Sequence, residues 1–515
     1  MNNGDLETTW AYHDGTKHSY SSIRSNPHYL DWANRPLPFK VYPALEPIPL
    51  PHTFSPLAVA AQEAVGSTGV PQQGDCLPDL ETLARLLYFS AGITKRLNTP
   101  GGGMFFRAAS CTGALYHIDL YVVCGQLPGL EAGVYHFGVH DFALRRLRQG
   151  DFRGVVVEAA SGEPAVAAAP AIIAGTSTYW RNSWKYQART YRHCFWDSGT
   201  ILANLLAMAA AGQVPARVVA GFVDDSMNRL LDLDTEREVT LTLVPLGYSP
   251  GSPSGPAPAV DPLGLETVPL SQAMIDYPEI RAIHAASSLA RAEEVIAWRG
   301  SIPARISPEP SRSLFPLQPL SEEEEEEGPR DTIEQVILRR GSTRRFAREA
   351  ITFAQLSAML RVATKGIPAD FLDPPGAAIN QPYLIVHAVD GLPSGAYVYH
   401  GERETLELLE EGDFRAEAGY LALEQDLAAD ASVAVFFLAD LRPVLERYGN
   451  RGYRASQLEA SIMGGKLYLA AYAQRIGASG LTFYDDDVTD FFSPHAEGKS
   501  VMFLVALGKP AKRRR

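Results

Sequence analysis

One stretch of this chain returns almost half a chain-length later. Gly150-Asp151-Phe152-Arg153 recurs as Gly412-Asp413-Phe414-Arg415, an offset of 262 residues. At that offset Gly133-x-Tyr135 meets Gly395-x-Tyr397, and Asp224-Asp225 meets Asp486-Asp487. Tyr186-x-x-Arg189-x-Tyr191-Arg192 likewise meets Tyr448-x-x-Arg451-x-Tyr453-Arg454. Several matches at one spacing mark a duplicated unit. The expected organisation is two copies of one domain, 76–248 and 331–515, with an arm over 1–75 and a linker over 249–330. A chain of 515 residues is too long for a single core in any case.

Composition narrows the function. An apolar content of 46% supports a sizeable interior, and a net charge of -13 excludes a general binder of nucleic acid or acidic membrane. No apolar run reaches the roughly 20 residues needed to span a bilayer. Met1-Asn2-Asn3-Gly4-Asp5 lacks the basic and apolar regions of a signal peptide. Cys76, Cys111, Cys124 and Cys194 form no Cys-x-x-Cys pair and have no nearby His at ligand spacing. They are expected to be reduced thiols in a cytoplasmic protein, with no metal site.

Along the chain, the Tyr-, Trp-, His- and Pro-rich arm is expected to be extended and packed on the first domain. Leu80, Leu83, Leu86 and Leu87 predict a helix over 77–91, and Ile118 to Cys124 a strand. Pro100-Gly101-Gly102-Gly103 lacks the flanks of a phosphate loop and reads as a plain loop. Ser198 to Ala211 is apolar nearly all round and predicts a buried helix. Arg217 to Phe222 reads as a strand, Asp224 as a helix start, and Ala282 to Trp298 as a helix. Ser249 to Pro258 and the run Glu322–Glu327 read as solvated tether.

The second copy opens with a cationic cluster. Ile333, Val336 and Ile337 predict a short amphipathic helix, which ends in Arg339-Arg340-Gly341-Ser342-Thr343-Arg344-Arg345-Phe346. Planar guanidinium forks and a hydroxyl suit phosphate oxygens. The alternative is a solvated basic turn that balances the acidic run upstream.

The copies differ in a directed way. Only the second carries the arginine–serine cluster. Where the first has Ser110-Cys111-Thr112-Gly113-Ala114-Leu115-Tyr116, the second has Pro375 to Tyr383, including Asn380-Gln381-Pro382-Tyr383. Lys185 of the first copy is replaced by Arg447 in the second.

Arg340-x-Ser342-x-Arg344-x-Phe346 resembles the flavin-phosphate signature of FMN-dependent nitroreductases. Gly-Ala-Leu-Tyr, Gly-Val-Tyr-His, Lys-Tyr-x-x-Arg-x-Tyr-Arg and Gly-Phe-x-Asp-Asp elements resemble the azoline-oxidising (SagB/ThcOx-type) branch of that superfamily. The resemblance implies an α+β fold of two tandem nitroreductase-like domains, each a central antiparallel or mixed sheet flanked by helices, forming an intrachain pseudo-dimer. It implies one FMN at the interface. Arg340, Ser342 and Arg344 would hold the phosphate, with Lys512 and Arg513 of the basic tail, and Ser479, Gly480 and Leu481 would face the reactive ring. Arg107, Ser110, Gly113 and Ala114 would lie along the ring edge, Gly113 being small so that backbone can approach a flat ring. Relatives usually read Pro-Ser-Ala-Gly where this chain has Ala109-Ser110-Cys111-Thr112-Gly113, so Cys111 is expected near the flavin, as a reactive thiol or a small buried hydrophobe.

The implied activity is dehydrogenation of a thiazoline- or oxazoline-type ring to an azole in a peptide or small natural product. Hydride would pass to flavin N5 and the proton to a base, Lys185 or Tyr186, each able to act if its pKa is lowered. Arg189, Tyr191 and Arg192 recur in both copies and read as structural. Oxygen is the expected reoxidant, since no Gly-x-Gly-x-x-Gly motif is present. A cyclodehydratase complex is an implied partner, and a further homodimer is compatible. The alternatives are an NAD(P)H-dependent nitro or quinone reductase, and a flavin-free scaffold within a modification complex.

Overall fold

The sequence offset reappears in the strands. In the computed structural model, Ile118–Cys124, Gly133–Gly138, Ala143–Gln149 and Glu238–Leu246 recur 262 residues later as Asn380–Val386, Gly395–His400, Thr405–Glu411 and Ser500–Gly508. Ala171–Thr178 likewise has its counterpart in Val433–Ala439. The structure describes residues 3–25, 27–99, 102–250, 257–302, 313–320 and 328–511. The tether run Glu322–Glu327, the linker residues 251–256 and the loop residues Pro100 and Gly101 lie outside them, as do Lys512 and Arg513.

Each half builds one large antiparallel sheet. The first runs Pro47–Pro49, Ala143–Gln149, Gly133–Gly138, Ile118–Cys124, Ala171–Thr178, Glu238–Leu246. The second keeps that order and adds Gly477–Gly480 beyond Ser500–Gly508, with Leu314–Pro316 at the opposite edge. Both central strands, Ile118–Cys124 and Asn380–Val386, are buried throughout. The chain is therefore an α+β tandem duplication that forms a pseudo-dimer with itself.

The dimer axis passes between two long helices, Thr190–Ala211 and Arg451–Ala473. A Cβ at Gly199 would overlap Ser461 Oγ, and one at Gly465 would stand 2.6 Å from the Cβ of Ala203. Gly199 and Ser461 are 262 apart, as are Ala203 and Gly465, so each helix meets its own counterpart. Ser461 Oγ donates to the Phe195 carbonyl (2.8 Å), and Trp196 Nε1 donates to Gln457 Oε1 (2.6 Å).

Reciprocal ion pairs flank that contact. Arg189 and Arg192 reach Asp485 at 2.9 and 2.6 Å, while Arg451 and Arg454 reach Asp224 at 2.6 and 2.7 Å. All six residues are buried. The arginines are therefore structural, and the partner of Asp224 in the repeat is Asp485, one residue earlier than the 262 offset predicts.

Several sequence expectations change in detail. The stretch Trp180–Ala211 is long and apolar enough to cross a membrane, and 94% of its most apolar window is buried inside the protein. Arg217 to Phe222 makes only isolated bridges, at Val218 and Val219. Ala282 to Trp298 splits into Pro278–Ala286 and Ala292–Trp298, because the Ser287 and Ser288 hydroxyls donate back to helix carbonyls and end the first helix. The arm is partly helical, at Glu7–Gly15, Tyr20–Ser25 and Ala61–Gly66, and it packs on both halves. Thr9 Oγ1 donates to Asn450 Oδ1 (2.6 Å) and Tyr12 Oη to the Ala188 carbonyl (2.6 Å).

Candidate functional site at the seam

The arginine–serine cluster begins where a helix is made to stop. Thr332 caps Ile333–Arg339 in a full capping box with Gln335, and the chain turns extended at Arg340. Arg340 then crosses the seam. Its Nε donates to the Ala108 carbonyl (2.9 Å) and its Nη2 to the Arg107 carbonyl (3.1 Å), both in the first half. Burial holds its pKa below the usual arginine value, yet the group stays cationic. Among the described residues, Arg340 Nη1 has no partner, and neither does the exposed guanidinium of Arg344.

Tyr468, from the long helix of the second half, ties the cluster to the neighbouring edge strand. Its hydroxyl lies 3.4 Å from Ser342 Oγ and accepts the Gly480 amide. Thr343 N donates to the Ala478 carbonyl (2.9 Å). The Leu481 amide is taken by Leu504, and Ser479 is buried within the strand, so the amides at 480 and 481 are already satisfied within the protein. The C-terminal segment runs beside the cluster, Ala511 N donating to the Arg345 carbonyl (2.9 Å).

On the first half, the loop 107–116 touches both groups of interest. The Arg107 side chain turns inward, donating to the carbonyls of Pro38 (2.8 Å) and Ile118 (3.3 Å), and burial lowers its pKa to about 10. Its contribution at the seam is the backbone carbonyl that Arg340 grips. The Ser110 carbonyl accepts from Thr200 Oγ1 (2.7 Å). Gly113 (φ 62°) and Ala114 (φ 54°) both lie in the left-handed region. A Cβ at Gly113 would stand 2.7 Å from Tyr186 Oη and 3.1 Å from its ring. The flat ring that Gly113 leaves room for within the protein is thus that of Tyr186.

Cys111 is held, not poised. Its Sγ donates to Asp197 Oδ2 (2.9 Å) and accepts from the Tyr116 amide (3.0 Å), while Asp197 also receives Thr112 and His117. Burial, and then the Asp197 charge, push the thiol pKa well above its ordinary value, which favours the small buried hydrophobe over the reactive thiol.

Lys185 and Tyr186 end the short helix Trp180–Tyr186. The Lys185 ammonium sits 5.2 Å from the centre of the Tyr186 ring. It forms no ion pair among the described residues, and partial burial lowers its pKa. Tyr186 moves the other way: burial, then Asp197, then Cys111 raise its phenol. Its hydroxyl has no hydrogen-bond partner among the described residues. The arm closes over this helix, His28 Nε2 lying 2.8 Å from the Trp184 carbonyl and Trp32 packing edge-on against Trp184.

Their counterparts are occupied. Arg447 donates to the carbonyls of Ala297, Arg299 and Ser301, and Tyr448 Oη to those of Gly300 and Phe371 (3.0 Å each). On that side of the pseudo-dyad opens a cleft of ≈1280 Å³, lined among others by Gly66, Ser67, Val70, Pro375, Gly376 and Gln381. A far smaller cavity of ≈10 Å³, about one water, lies beside Arg107, Ser110 and Cys111. This cleft therefore lies on the side without the arginine cluster. Asp197, His117 and Tyr468 had escaped the sequence reading. Asp197 is a lone acid at the head of an apolar helix, which was a signal; Tyr468 at helical spacing reads as core.

Residues 337–509 match the nitroreductase family. The second half is a nitroreductase-family domain. A crystal structure from Anabaena variabilis, described as of a nitroreductase, superposes with a TM-score of 0.77 at 26% identity, covering 98% of this chain and 99% of that one. The likeness therefore runs through both halves, arm and linker included. A Methanocaldococcus jannaschii protein named as a nitroreductase is 27% identical over 164 residues, 31% of this chain and 82% of its own length. The trifolitoxin-processing protein TfxB of Rhizobium leguminosarum bv. trifolii is 32% identical over 151 residues, 28% of this chain and 40% of that protein.

Proposed function

We propose that the protein is an FMN-dependent dehydrogenase of the azoline-oxidising type, acting on a heterocycle in a peptide or small natural product. The observation that carries this reading is the uncommitted Lys185–Tyr186 pair, packed on the same loop whose carbonyls Arg340 grips across the seam. The likeness to a trifolitoxin-processing protein supports a natural-product substrate. The donor set suits a flavin phosphate: Arg340 Nη1, the Arg344 guanidinium and the Ser342 hydroxyl. FMN held there supplies a two-electron acceptor beside the substrate.

Oxidation of an azoline removes a hydride equivalent and a proton from ring carbons. Lys185 is the base. Its lowered pKa leaves a larger neutral fraction near pH 7, whereas the raised Tyr186 phenol stays protonated and serves as a hydrogen-bond donor that orients the ring. The sign follows: activity rises with pH through an apparent pKa below the ordinary lysine value of about 10.4. Oxygen is the terminal acceptor, and a cyclodehydratase is the partner that supplies the azoline.

The test is an azoline-containing peptide incubated with enzyme, FMN and oxygen. Loss of two hydrogens by mass spectrometry, with peroxide released, is the expected result. A second reading, an NAD(P)H-fed nitro or quinone reductase, draws on the likeness to the M. jannaschii protein. Turnover of NAD(P)H with nitroaromatics, alongside inertness toward the peptide, would select it.

A further inference from the structure

We propose that the second half holds a divalent transition-metal site, best suited to Zn2+, formed by His400, Glu407 and His495. His400 ends the strand Gly395–His400, Glu407 lies on the neighbouring strand Thr405–Glu411, and His495 follows the helix Asp485–Phe491. One ligand atom from each lies within 4.8 Å of the others. His400 Nε2 is 2.9 Å from Glu407 Oε2. Two ligands on a tetrahedral zinc stand about 3.3 Å apart, so this pair needs only a few tenths of an ångström of opening, while His495 closes in from within 4.8 Å.

A second observation points the same way. His495 Nε2 is buried and has no hydrogen-bond partner, which is costly for a ring nitrogen. Its other nitrogen is spoken for. The Tyr383 hydroxyl donates to the His495 carbonyl (3.4 Å) and lies 2.9 Å from Nδ1. With that hydrogen already directed at the carbonyl, the Tyr383 oxygen accepts from Nδ1–H. In that tautomer the Nε2 lone pair is the one left free. This is how an outer partner fixes the tautomer of a metal-binding histidine.

Two imidazoles and a carboxylate form a borderline donor set that takes Zn2+ and leaves a coordination position open. His400 also lines the ≈1280 Å³ cleft, which supplies an entry path. His400 and Glu407 lie 7 residues apart on paired strands and His495 a further 88 residues on, a spacing that matches no recognised ligand motif. The site is independent of the flavin reading, because none of its residues belongs to the arginine cluster, the loop 107–116 or the Lys185 helix.

The experiment uses the full chain without a polyhistidine tag, stripped by chelator, and titrated with Zn2+ by calorimetry and with Co2+ by visible absorption. We expect one ion per chain, ligand-field bands for Co2+, and a Zn2+-dependent rise in melting temperature. His495→Ala, folded in chelator like the unsubstituted protein, should abolish all three. Tyr383→Phe, which keeps every ligand, should weaken Zn2+ binding about 10- to 100-fold. Absence of stoichiometric metal in the unsubstituted chain, or undiminished affinity in both variants, would overturn the site.

Discussion

Lys185–Tyr186 and Arg447–Tyr448 occupy equivalent places in the two halves, yet their surroundings are opposite. In the first half the cation and the phenol have no hydrogen-bond partners among the described residues, and the loop at Gly113 leaves space for the ring. In the second, five backbone carbonyls absorb both side chains, most of them from the segment Ala297–Ser301. The anchor is distributed the other way: the second half carries Arg340 and Arg344, while the first offers Gly66 and Ser67 beside an open cleft. After the duplication, the scaffold stayed symmetric and the chemistry did not.

Exchanging the two cations gives the largest contrast. Lys185→Ala should lower azoline oxidation about 10²- to 10⁴-fold while FMN is retained. Arg447→Ala should leave the rate near normal and show its effect in thermal melting, because that side chain only pins the linker. Equal losses of rate in both variants would end the division of labour.

The seam ion pairs should behave alike despite the divergence elsewhere. Asp224→Asn and Asp485→Asn each leave two buried arginines short of a counter-charge and should cost about 3–5 kcal/mol. Neighbouring arginines hold both carboxyls down, Asp224 to about 2. A depressed carboxylate contributes stability that is complete above its unfolded pKa of about 3.9 and drains as pH falls through the folded value. Melting temperatures recorded from pH 5 to pH 2 should therefore fall for the unsubstituted protein, and fall less steeply for either variant.

Gly113→Ala places a methyl 2.7 Å from Tyr186 Oη at a φ of 62°. Displacing that ring should lower the rate about 10-fold without loss of flavin. Smallest is the tyrosine pair. Tyr186→Phe should slow oxidation a few-fold and leave melting unchanged, whereas Tyr448→Phe should cost about 1 kcal/mol of stability and leave the rate alone.

The duplication was legible because backbone pairing preserves register: one offset fixes the strands of both sheets. Helix ends were legible where side chains cap them, as at Thr332. The arm helices were not, since Glu7–Gly15 has no apolar stripe of its own and is held by Asn450 and Tyr453 of the other half. The positions of Lys185, Gly113 and Arg340 could be named from motifs. Their relation could not, because it depends on which carbonyls the turns at 107–108 and 297–301 present, and no side-chain pattern records that. The same holds for Cys111, which is desolvated by burial and bonded to an aspartate 86 residues away.

The most direct test is the flavin-to-chain ratio of purified, FMN-saturated protein, read from its visible absorbance, beside the same measurement on the Arg340→Ala/Arg344→Ala variant. The account predicts one flavin per chain, and at least about 100-fold weaker binding in the variant, since two charge-assisted contacts are lost. Two flavins per chain, or one retained at full affinity without those arginines, would contradict it.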